Sequence, residues 1–290
     1  MSSDLAANDH RPRVAIADLA AKKARGEPIV MVTAFDFVSA QVAERAGVDV
    51  ILVGDSAAMT VLGYESTRLV SIDEMLMLTR AARRGATTPL LVGDLPFGSY
   101  ESSDALALST ARRFIDAGCD AVKMEGSGAT VERAAALVRA GIAVMGHVGL
   151  TPQATGDPEG FRVHGRTAEA ALEIIQGARA LERAGCFAIV IEAVPAAVAR
   201  LLTPRIRVPV IGIGAGAAPD GQVLVFHDLI GLYDARIPRF VKRYATLKPE
   251  MVDAVGRYAA DVRARRFPAV EHEYGIEAAE LEKLTQLLAP

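Results

Sequence analysis

The segment AGVDVILVGD (46–55) recurs, with substitutions, as AGCDAVKMEG (117–126) and AGCFAIVIEA (184–193). Each version opens on a glycine typical of a helix C-terminus, continues through a short apolar strand and ends near a carboxylate. Glu125 and Glu192 lie seven residues after their glycine, and Asp55 lies eight residues after its own. The repeat indicates a chain built from successive helix–strand units.

Outward from this repeat, short apolar runs rich in β-branched residues alternate with alanine-rich helical segments. Most of the runs are continuously apolar, which is typical of parallel strands covered on both faces. The helical segments carry apolar residues at helical spacing and end in glycine, and several begin with Ser, Thr or Asp. Eight such units favour a (β/α)8 TIM barrel over a doubly wound sheet. The predicted strands are 28–34, 48–55, 89–95, 120–126, 143–150, 187–194, 209–216 and 222–231.

The 290 residues divide into three parts in this interpretation. Residues 1–14 are predicted to be a flexible N-terminal arm, and residues 15–245 form the α/β barrel as a single catalytic domain. Residues 246–290 are predicted to be an appended C-terminal helical extension rather than a second domain.

Composition excludes several classes of function. The formal net charge is -3 and no long block of one sign occurs, so we expect neither a nucleic-acid partner nor a membrane surface. No apolar run reaches the roughly 20 residues that span a bilayer, and the N-terminus lacks the apolar core of a signal peptide. A cytoplasmic location is therefore predicted. Cys119 and Cys186 lie at equivalent strand starts without metal-ligand spacing, which predicts buried, reduced thiols.

Four acids, Asp55, Asp94, Glu125 and Glu192, end four of the predicted strands. In a (β/α)8 barrel these strand ends meet at one mouth, where active sites form. Because buried like charges repel, a hard divalent cation such as Mg²⁺ would stabilise them. Alternatively, single acids cap helices or pair with arginines. Their shared topological position makes that interpretation weaker for the four together.

Two further side chains belong to the same predicted mouth. Lys123 lies two residues before Glu125, so both point to one face of the strand, and we expect that face to be the barrel interior. There the ammonium could bind a substrate carboxylate or a developing oxyanion. His147 also ends a strand, and we interpret it as functional, although single histidines are often structural. The glycines of GIGAG (212–216) are expected to let backbone approach a ligand rather than to form a phosphate loop.

Eight segments match, in order, those of a known family and span roughly residues 30–245. The chain thereby resembles the ketopantoate hydroxymethyltransferase family, and GDS, DLPFGSY and GHVGLTPQ together make the resemblance specific. The segments are VTAFDFVSA, ILVGDSAAMTVLGYEST, VGDLPFGSY, AVKMEG, VMGHVGLTPQ, FAIVIEAVP, IGIGAGAAPDGQVLV and HDLIGL.

The resemblance implies a (β/α)8 barrel that transfers a one-carbon unit from 5,10-methylenetetrahydrofolate to 3-methyl-2-oxobutanoate. The product would be 2-dehydropantoate, on the route to pantothenate. It also implies a homo-oligomer, specifically a decamer. Asp55 and Asp94 match the Mg²⁺-binding acids, while Glu125 matches an acid that reaches the metal directly or through water.

The remaining roles follow from the same resemblance. Ser56 and Lys123, with Asp55 and Asp94, match the contacts to the keto acid, and His147 matches a histidine of the substrate site. Glu192 matches the proposed general base. A carboxylate in that role would remove the proton from the branched carbon beside the ketone.

The sequence departs from the family pattern at two positions. Phe35 replaces the usual tyrosine of TAYD, which removes one polar contact expected near the mouth. His164, in FRVHGRT, stands where a glutamine is expected, in a segment interpreted as a lid. Neither departure affects the acids or Lys123.

Two alternative functions remain open from the sequence. A related barrel lyase or mutase of the phosphoenolpyruvate mutase and isocitrate lyase type would also use Mg²⁺ and a 2-oxo acid, but the lyase-style cysteine loop is absent. A non-catalytic binding barrel gives no reason for four acids and a lysine at one mouth.

Overall fold

The computed structural model describes residues 11–155, 162–234 and 238–289, with side chains at 154 and 155 left aside. Eight parallel strands form a closed barrel in sequence order, β1 to β8, and β8 pairs with β1. The prediction of a (β/α)8 barrel is therefore confirmed. The strands are β1 Ile29–Thr33, β2 Val50–Val53, β3 Leu90–Asp94, β4 Ala121–Glu125, β5 Val144–Gly149, β6 Ala188–Glu192, β7 Val210–Ile213 and β8 Gly221–Leu224.

Twelve α-helices occur in the part of the chain that the structure describes, several of them a single turn long. Short 3₁₀ turns at Thr67–Leu69, Thr203–Arg205 and Val270–His272 complete the elements. The helices are α1 Ile16–Arg25, α2 Phe37–Ala46, α3 Ala57–Thr60, α4 Ile72–Gly85, α5 Asp104–Asp116, α6 Thr130–Arg139, α7 Pro152–Thr155, α8 Ala168–Arg183, α9 Ala196–Leu202, α10 Phe226–Leu229, α11 Leu247–Arg263 and α12 Ala278–Leu287.

Capping residues explain where the outer helices begin. The side chain of Asp36 accepts a hydrogen bond from Ser39 N at the start of α2, at 2.8 Å. Ser71 and Glu74 form a reciprocal capping box at the start of α4, and Thr167 caps α8. Helix α2 ends at Gly47, whose φ of 82° suits glycine. These caps define where the helices begin and end, so that the chain returns to the sheet after each helix.

The barrel interior follows a period of two along every strand, as parallel strands require. Apolar side chains fill its lower part, and Leu19 of α1 lies fully buried among them. Toward the carboxyl ends of the strands, the same alternation places charged side chains inside the barrel. A second apolar cluster lies between the strands and the outer helices. The interior side chains of this lower part are Ile29, Met31, Val50, Leu52, Leu90, Val92, Ala121, Met145, Ala188, Val190, Ile211 and Val223.

The last predicted strand is wrong in its second half. Residues 222–231 were expected to be extended, but the strand ends at Leu224 and residues 226–229 form α10. Apolar residues in a short run do not distinguish a strand from one helical turn. Between β7 and β8 the chain makes a short connection, residues 214–220, without a helix.

The chain divides into two compact units, Met1–Tyr244 and Ala245–Pro290. The first contains the barrel, and the second contains α11 and α12, neither of which has a buried residue. Of the predicted N-terminal arm, residues 1–10 lie outside the described residues. Arg11 and Val14, which are described, donate hydrogen bonds to the carbonyls of Glu44 and Thr88. No helix in the described residues is long and apolar enough to cross a membrane.

Candidate active site

Strand register brings the candidate residues together at the barrel mouth. Asp94 on β3 pairs in register with Lys123 on β4, and Glu125 on β4 pairs with His147 on β5. All four side chains continue the inward-facing series of their strands, and each is at most 6% exposed. The expectation that Lys123 and Glu125 share the interior face agrees with these contacts.

A buried lysine links two of the acids. The Nζ atom of Lys123 lies 2.8 Å from Asp94 Oδ1 and 3.3 Å from Glu125 Oε1. Burial alone would lower the pKa of Lys123, but the surrounding carboxylates outweigh burial and hold it above its usual value. The ammonium therefore stays charged and neutralises part of the acidic cluster.

The three acids of the mouth are neutralised to different degrees. Burial raises the pKa values of Asp55 and Asp94; the charges of Asp94 and Glu125 raise that of Asp55 further. Burial would also raise the pKa of Glu125, but Lys123 and His147 outweigh it and lower that pKa to about 2. Burial and the neighbouring acids therefore disfavour the charged forms of Asp55 and Asp94, although Asp94 lies 2.8 Å from Lys123 Nζ.

One oxygen each from Asp55, Asp94 and Glu125 lies within 4.8 Å of the other two. Three buried carboxylates around one ammonium leave an excess of negative charge, and all the donor atoms are hard oxygens. Both properties fit a hard divalent cation that keeps positions open for other oxygens. The residues present therefore suit a metal ion.

His147 connects the acidic cluster to the fourth strand-end acid. Its Nδ1 atom lies 3.2 Å from Glu125 Oε1, and its Nε2 atom lies 3.3 Å from Glu192 Oε2. Burial and Lys123 would lower the pKa of His147, but the two glutamates outweigh them and raise it to about 9. Glu192 itself stands apart from the cluster of three, on β6, with 13% of its side chain exposed.

Backbone geometry fixes the end of β6. Ala193, directly after Glu192, has a φ of 49°, an unfavourable conformation for a residue with a side chain. Its N–H donates to the Ile213 carbonyl, and its carbonyl accepts from His164 N. Gly149 lies beside this turn with a φ of 98°; a Cβ there would come within 2.2 Å of the Glu192 carbonyl oxygen. Close packing therefore holds Glu192 in position.

Tyr100 and Gln153 are two site residues to which the sequence pattern gave no role. Gln153 Nε2 donates to Asp55 Oδ2 at 2.9 Å, and its backbone N–H donates to Glu125 Oε2 at 3.1 Å. The Tyr100 hydroxyl donates to Gln153 Oε1 at 2.8 Å and accepts from Glu125 N at 3.2 Å. Both residues end motifs that carry the family resemblance, DLPFGSY and GHVGLTPQ, which is the signal that could have indicated them.

The two departures from the family pattern lie outside the acidic cluster. Phe35 is fully buried and packs against His227, with 5.5 Å between ring centroids, instead of lining the mouth. His164 contributes its backbone N–H to the turn after Glu192. Phe161, the first residue of the predicted lid, lies outside the described residues, as do residues 156–160.

A cavity of about 620 Å3 opens above these side chains. Ser56, which follows Asp55, is one of its lining residues, as are Lys123, His147 and Glu192. This volume lies within the range of cavities that bind small molecules. A second cavity, of about 1280 Å3, lies beside β7, β8 and β1, but none of the four strand-end acids lines it.

One glycine of GIGAG, Gly214, lines the cavity. Gly214 has a φ of 64°, and a Cβ there would lie 2.6 Å from Cδ1 of Phe240. The missing side chain therefore makes room for an aromatic ring that lines the cavity.

These features define a (β/α)8 barrel with a buried cluster of carboxylates at its mouth that could hold a metal ion. The comparisons with known proteins narrow this class. The family model for ketopantoate hydroxymethyltransferase matches residues 13–270, and the chain belongs to that family.

Curated relatives agree with this assignment. A 3-methyl-2-oxobutanoate hydroxymethyltransferase of Nitratidesulfovibrio vulgaris (strain DP4) is 52% identical over 264 residues, covering 90% of this chain and 86% of the relative. The enzyme of the same name from Geobacillus kaustophilus is 49% identical, with coverages of 89% and 93%.

Solved structures of other enzymes share the fold. Phosphonopyruvate hydrolase in complex with oxalate and Mg²⁺ has a TM-score of 0.59 at 16% identity, covering 94% of this chain and 96% of its own. A 2,3-dimethylmalate lyase of the phosphoenolpyruvate mutase and isocitrate lyase superfamily has a TM-score of 0.54 at 14% identity, with coverages of 96% and 96%. At these identities the likeness concerns the barrel alone.

Proposed function

We propose that this chain is a 3-methyl-2-oxobutanoate hydroxymethyltransferase of pantothenate biosynthesis. It transfers a hydroxymethyl group from 5,10-methylenetetrahydrofolate to 3-methyl-2-oxobutanoate and forms 2-dehydropantoate. Family membership and relatives of that name at about 50% identity support the proposal. The observation that carries it is a buried cluster of three carboxylates around Lys123, with a separate carboxylate, Glu192, on the other side of His147.

Asp55 and Asp94 are the proposed Mg²⁺ ligands, with Glu125 reaching the metal directly or through water. Their oxygens already lie close together, and Gln153 orients the Asp55 carboxylate. When bound, Mg²⁺ would act as a Lewis acid that favours loss of a proton beside the ketone. Since Glu125 is held by Lys123, His147 and Gln153 N, it is the most firmly oriented of the three acids.

Lys123, Ser56 and His147 are the proposed contacts to the keto acid. The Lys123 ammonium faces the cavity beside Asp94, where it would neutralise the substrate carboxylate. Ser56 lines the cavity next to Asp55 and offers a hydroxyl donor. His147 stays protonated near neutral pH because its pKa is raised, so it can donate from both ring nitrogens.

Glu192 is the proposed general base. It lines the cavity on β6, away from the three-acid cluster, and His147 Nε2 contacts one of its oxygens. Its carboxylate would take the proton from the branched carbon of the keto acid. That carbon would then attack the one-carbon unit of the folate. Hydrolysis of the bond between the transferred carbon and the folate nitrogen would leave the hydroxyl on that carbon and release tetrahydrofolate.

The enzymes that share the fold leave one alternative function, that of a Mg²⁺-dependent lyase or mutase acting on 2-oxo acids. At 16% and 14% identity, the similarity of these structures to this chain supports only a common barrel fold. Relatives at about half identity over nine tenths of the chain favour the transferase instead.

We also propose a cytoplasmic homo-oligomer, a decamer by family resemblance. Cys119 and Cys186 are buried free thiols, which suits a reducing compartment. Within residues 245–289, α11 and α12 expose apolar side chains such as Met251, Val255 and Leu284. Exposed apolar faces of this kind are typical of subunit contacts. Light scattering coupled to size exclusion would measure the mass of the assembly.

The proposed activity is tested by assaying 2-dehydropantoate formation from 3-methyl-2-oxobutanoate and 5,10-methylenetetrahydrofolate. We expect activity that EDTA abolishes and added Mg²⁺ restores. A protein that cleaves 2-oxo acids without folate would be the lyase or mutase, and one that forms no product would be a binding barrel.

The base assignment has a separate test. Glu192→Gln should abolish deuterium exchange at the branched carbon of the keto acid while still binding that substrate. Glu173→Gln, a change at an exposed position of α8, is the matched control and should exchange normally. Exchange by Glu192→Gln at the wild-type rate would refute the role of Glu192.

A further inference from the structure

The cavity above the barrel is polar on one side and apolar on the other. The acids, Lys123 and His147 belong to β2 to β6, whereas β7 and β8 contribute Ile213, Val223 and Leu224. In a closed ring of eight strands β8 lies opposite β4, so this apolar side faces Lys123 across the cavity. A flat heteroaromatic ring fits the apolar side better than the acidic one.

Polar residues that follow β8 in the chain also line the cavity, namely Asp228, Tyr233 and Arg239. Asp228, on the single turn α10 after β8, lines the cavity and is only 9% exposed. Among the described residues, no donor forms a hydrogen bond to its carboxylate. Burial raises the pKa of Asp228, and Arg243 offsets part of this; the Arg243 guanidinium itself donates to the Tyr233 carbonyl at 3.1 Å.

A buried carboxylate without a donor is costly, and such groups usually await a ligand or water. The catalytic steps described above make no use of Asp228. Its position on the cavity wall, opposite the acidic cluster, makes it available to the part of a substrate that lies on the apolar side.

We infer that Asp228 binds the donor edge of the pterin ring of the folate co-substrate, namely its 2-amino group and the adjacent ring N–H. This inference rests on the proposed function. Two parallel N–H donors match the two oxygens of one carboxylate, and the pairing of a carboxylate with such a fork is both strong and directional.

The surroundings of Asp228 suit the rest of the ring. Phe240 lines the same cavity because Gly214 leaves room for its ring, and it offers an aromatic surface to a heteroaromatic ligand. Val223 and Leu224 extend the apolar wall along β8. A pterin held here occupies the apolar side of the cavity, while the keto acid occupies the side of Lys123.

The test compares Asp228→Asn with wild-type protein, both loaded with Mg²⁺. In this variant an amide donor faces the ring donors, so the Kd for tetrahydrofolate, measured by calorimetry, should rise at least about tenfold. The tailless 6-methyltetrahydropterin should lose affinity by the same factor. Deuterium exchange into the keto acid, which needs no folate, should be unchanged. Asp228→Glu, which keeps the charge, should recover part of the affinity.

Asp116→Asn, at the exposed end of α5, is the matched control and should bind tetrahydrofolate normally. Unchanged tetrahydrofolate affinity in Asp228→Asn overturns the inference. So does a loss confined to tetrahydrofolate and absent for the tailless pterin, which would place Asp228 at the tail. Loss of deuterium exchange would assign it to the keto acid instead. Failure of the proposed function is distinct, because wild-type protein would then form no 2-dehydropantoate.

Discussion

The two ends of the barrel hold their acids in opposite ways. At the amino ends of the strands, Asp49, Asp120 and Asp220 each contact a lysine or arginine. Each also accepts a backbone N–H from a neighbouring strand, at 2.8 to 2.9 Å. At the carboxyl ends, Asp94 and Glu125 share a single lysine, and burial with the neighbouring acids raises the pKa values of Asp55 and Asp94.

The contrast shows that position on the strand, rather than residue type, decides what an acid does in this fold. Acids at the amino ends are neutralised one by one and tie the bottom of the barrel together. Acids at the mouth repel one another, so a cation bound there together with substrate oxygens would stabilise them. Substitutions at the two ends should therefore separate stability from activity.

The largest effect is expected for Lys123→Met. The variant leaves buried carboxylates without their ammonium, so we expect a loss of about 3 kcal/mol in the free energy of unfolding. Activity should fall on the order of 10³-fold, because a charge aimed at the substrate is lost. Urea denaturation and kcat/KM measure the two effects.

Lys22→Met is the matched control at the other end of the barrel, where Lys22 contacts Asp49 at 2.7 Å. It should reduce stability by a smaller amount and leave kcat unchanged. Equal losses of activity in the two lysine variants would break the contrast between mouth and bottom.

Gln153→Leu should give the next largest effect. It removes the donor to Asp55 and the partner of the Tyr100 hydroxyl, both inside the mouth. Since groups that orient metal ligands contribute to affinity, the Kd for Mg²⁺ should rise about 10- to 100-fold. Isothermal calorimetry measures this Kd directly. Gln222→Leu, an exposed glutamine on β8, should bind Mg²⁺ as the wild type does; a similar loss there would contradict the role of Gln153.

Asp120→Asn tests the bottom of the barrel. The carboxylate accepts Leu91 N at 2.9 Å and contacts Arg83 at 3.3 Å. Its loss should lower the free energy of unfolding by about 1–2 kcal/mol, measured by urea denaturation. Because Asp120 lies at the amino end of β4, kcat and the Kd for Mg²⁺ should not change, and a drop in either would argue against a purely structural role.

The sequence predicted the barrel and the mouth more fully than the details of either. The strand-end acids were predictable because Asp55, Glu125 and Glu192 end copies of one repeat. Lys123 followed from the two-residue period. The roles of Tyr100 and Gln153 depend on loops that fold over the mouth, which periodicity does not describe.

The ion pairs of the acids at the amino ends of the strands were also not predictable from the repeat. Asp49 and Asp120 occupy matching positions of the repeat, but their partners, Lys22 and Arg83, come from distant helices. The third copy of the repeat has Phe187 at this position, so the pattern alone does not specify an ion pair. The helical turn of α10 was missed because its apolar residues continue those of β8.

The smallest effect is expected for Glu44→Gln, at the bottom of the barrel. Burial would raise the pKa of Glu44, but the Thr88 hydroxyl, at 2.6 Å, and the N–H groups of Thr87 and Thr88 outweigh it and lower the pKa. The carboxylate thus stabilises the folded state above its unfolded pKa, roughly 4.3. This contribution is lost as pH falls through the lower, folded pKa.

At pH 7 the Glu44→Gln variant should be about 1 kcal/mol less stable than wild type. As pH falls below about 4, the difference should shrink, because the wild-type carboxylate takes up a proton. Urea denaturation at a series of pH values measures the difference, and activity at pH 7 should be unchanged. A difference that stays constant down to pH 3 would assign the stabilisation to packing. In that case the ionised acids at the amino ends of the strands would contribute less to stability than the comparison of the two barrel ends predicts.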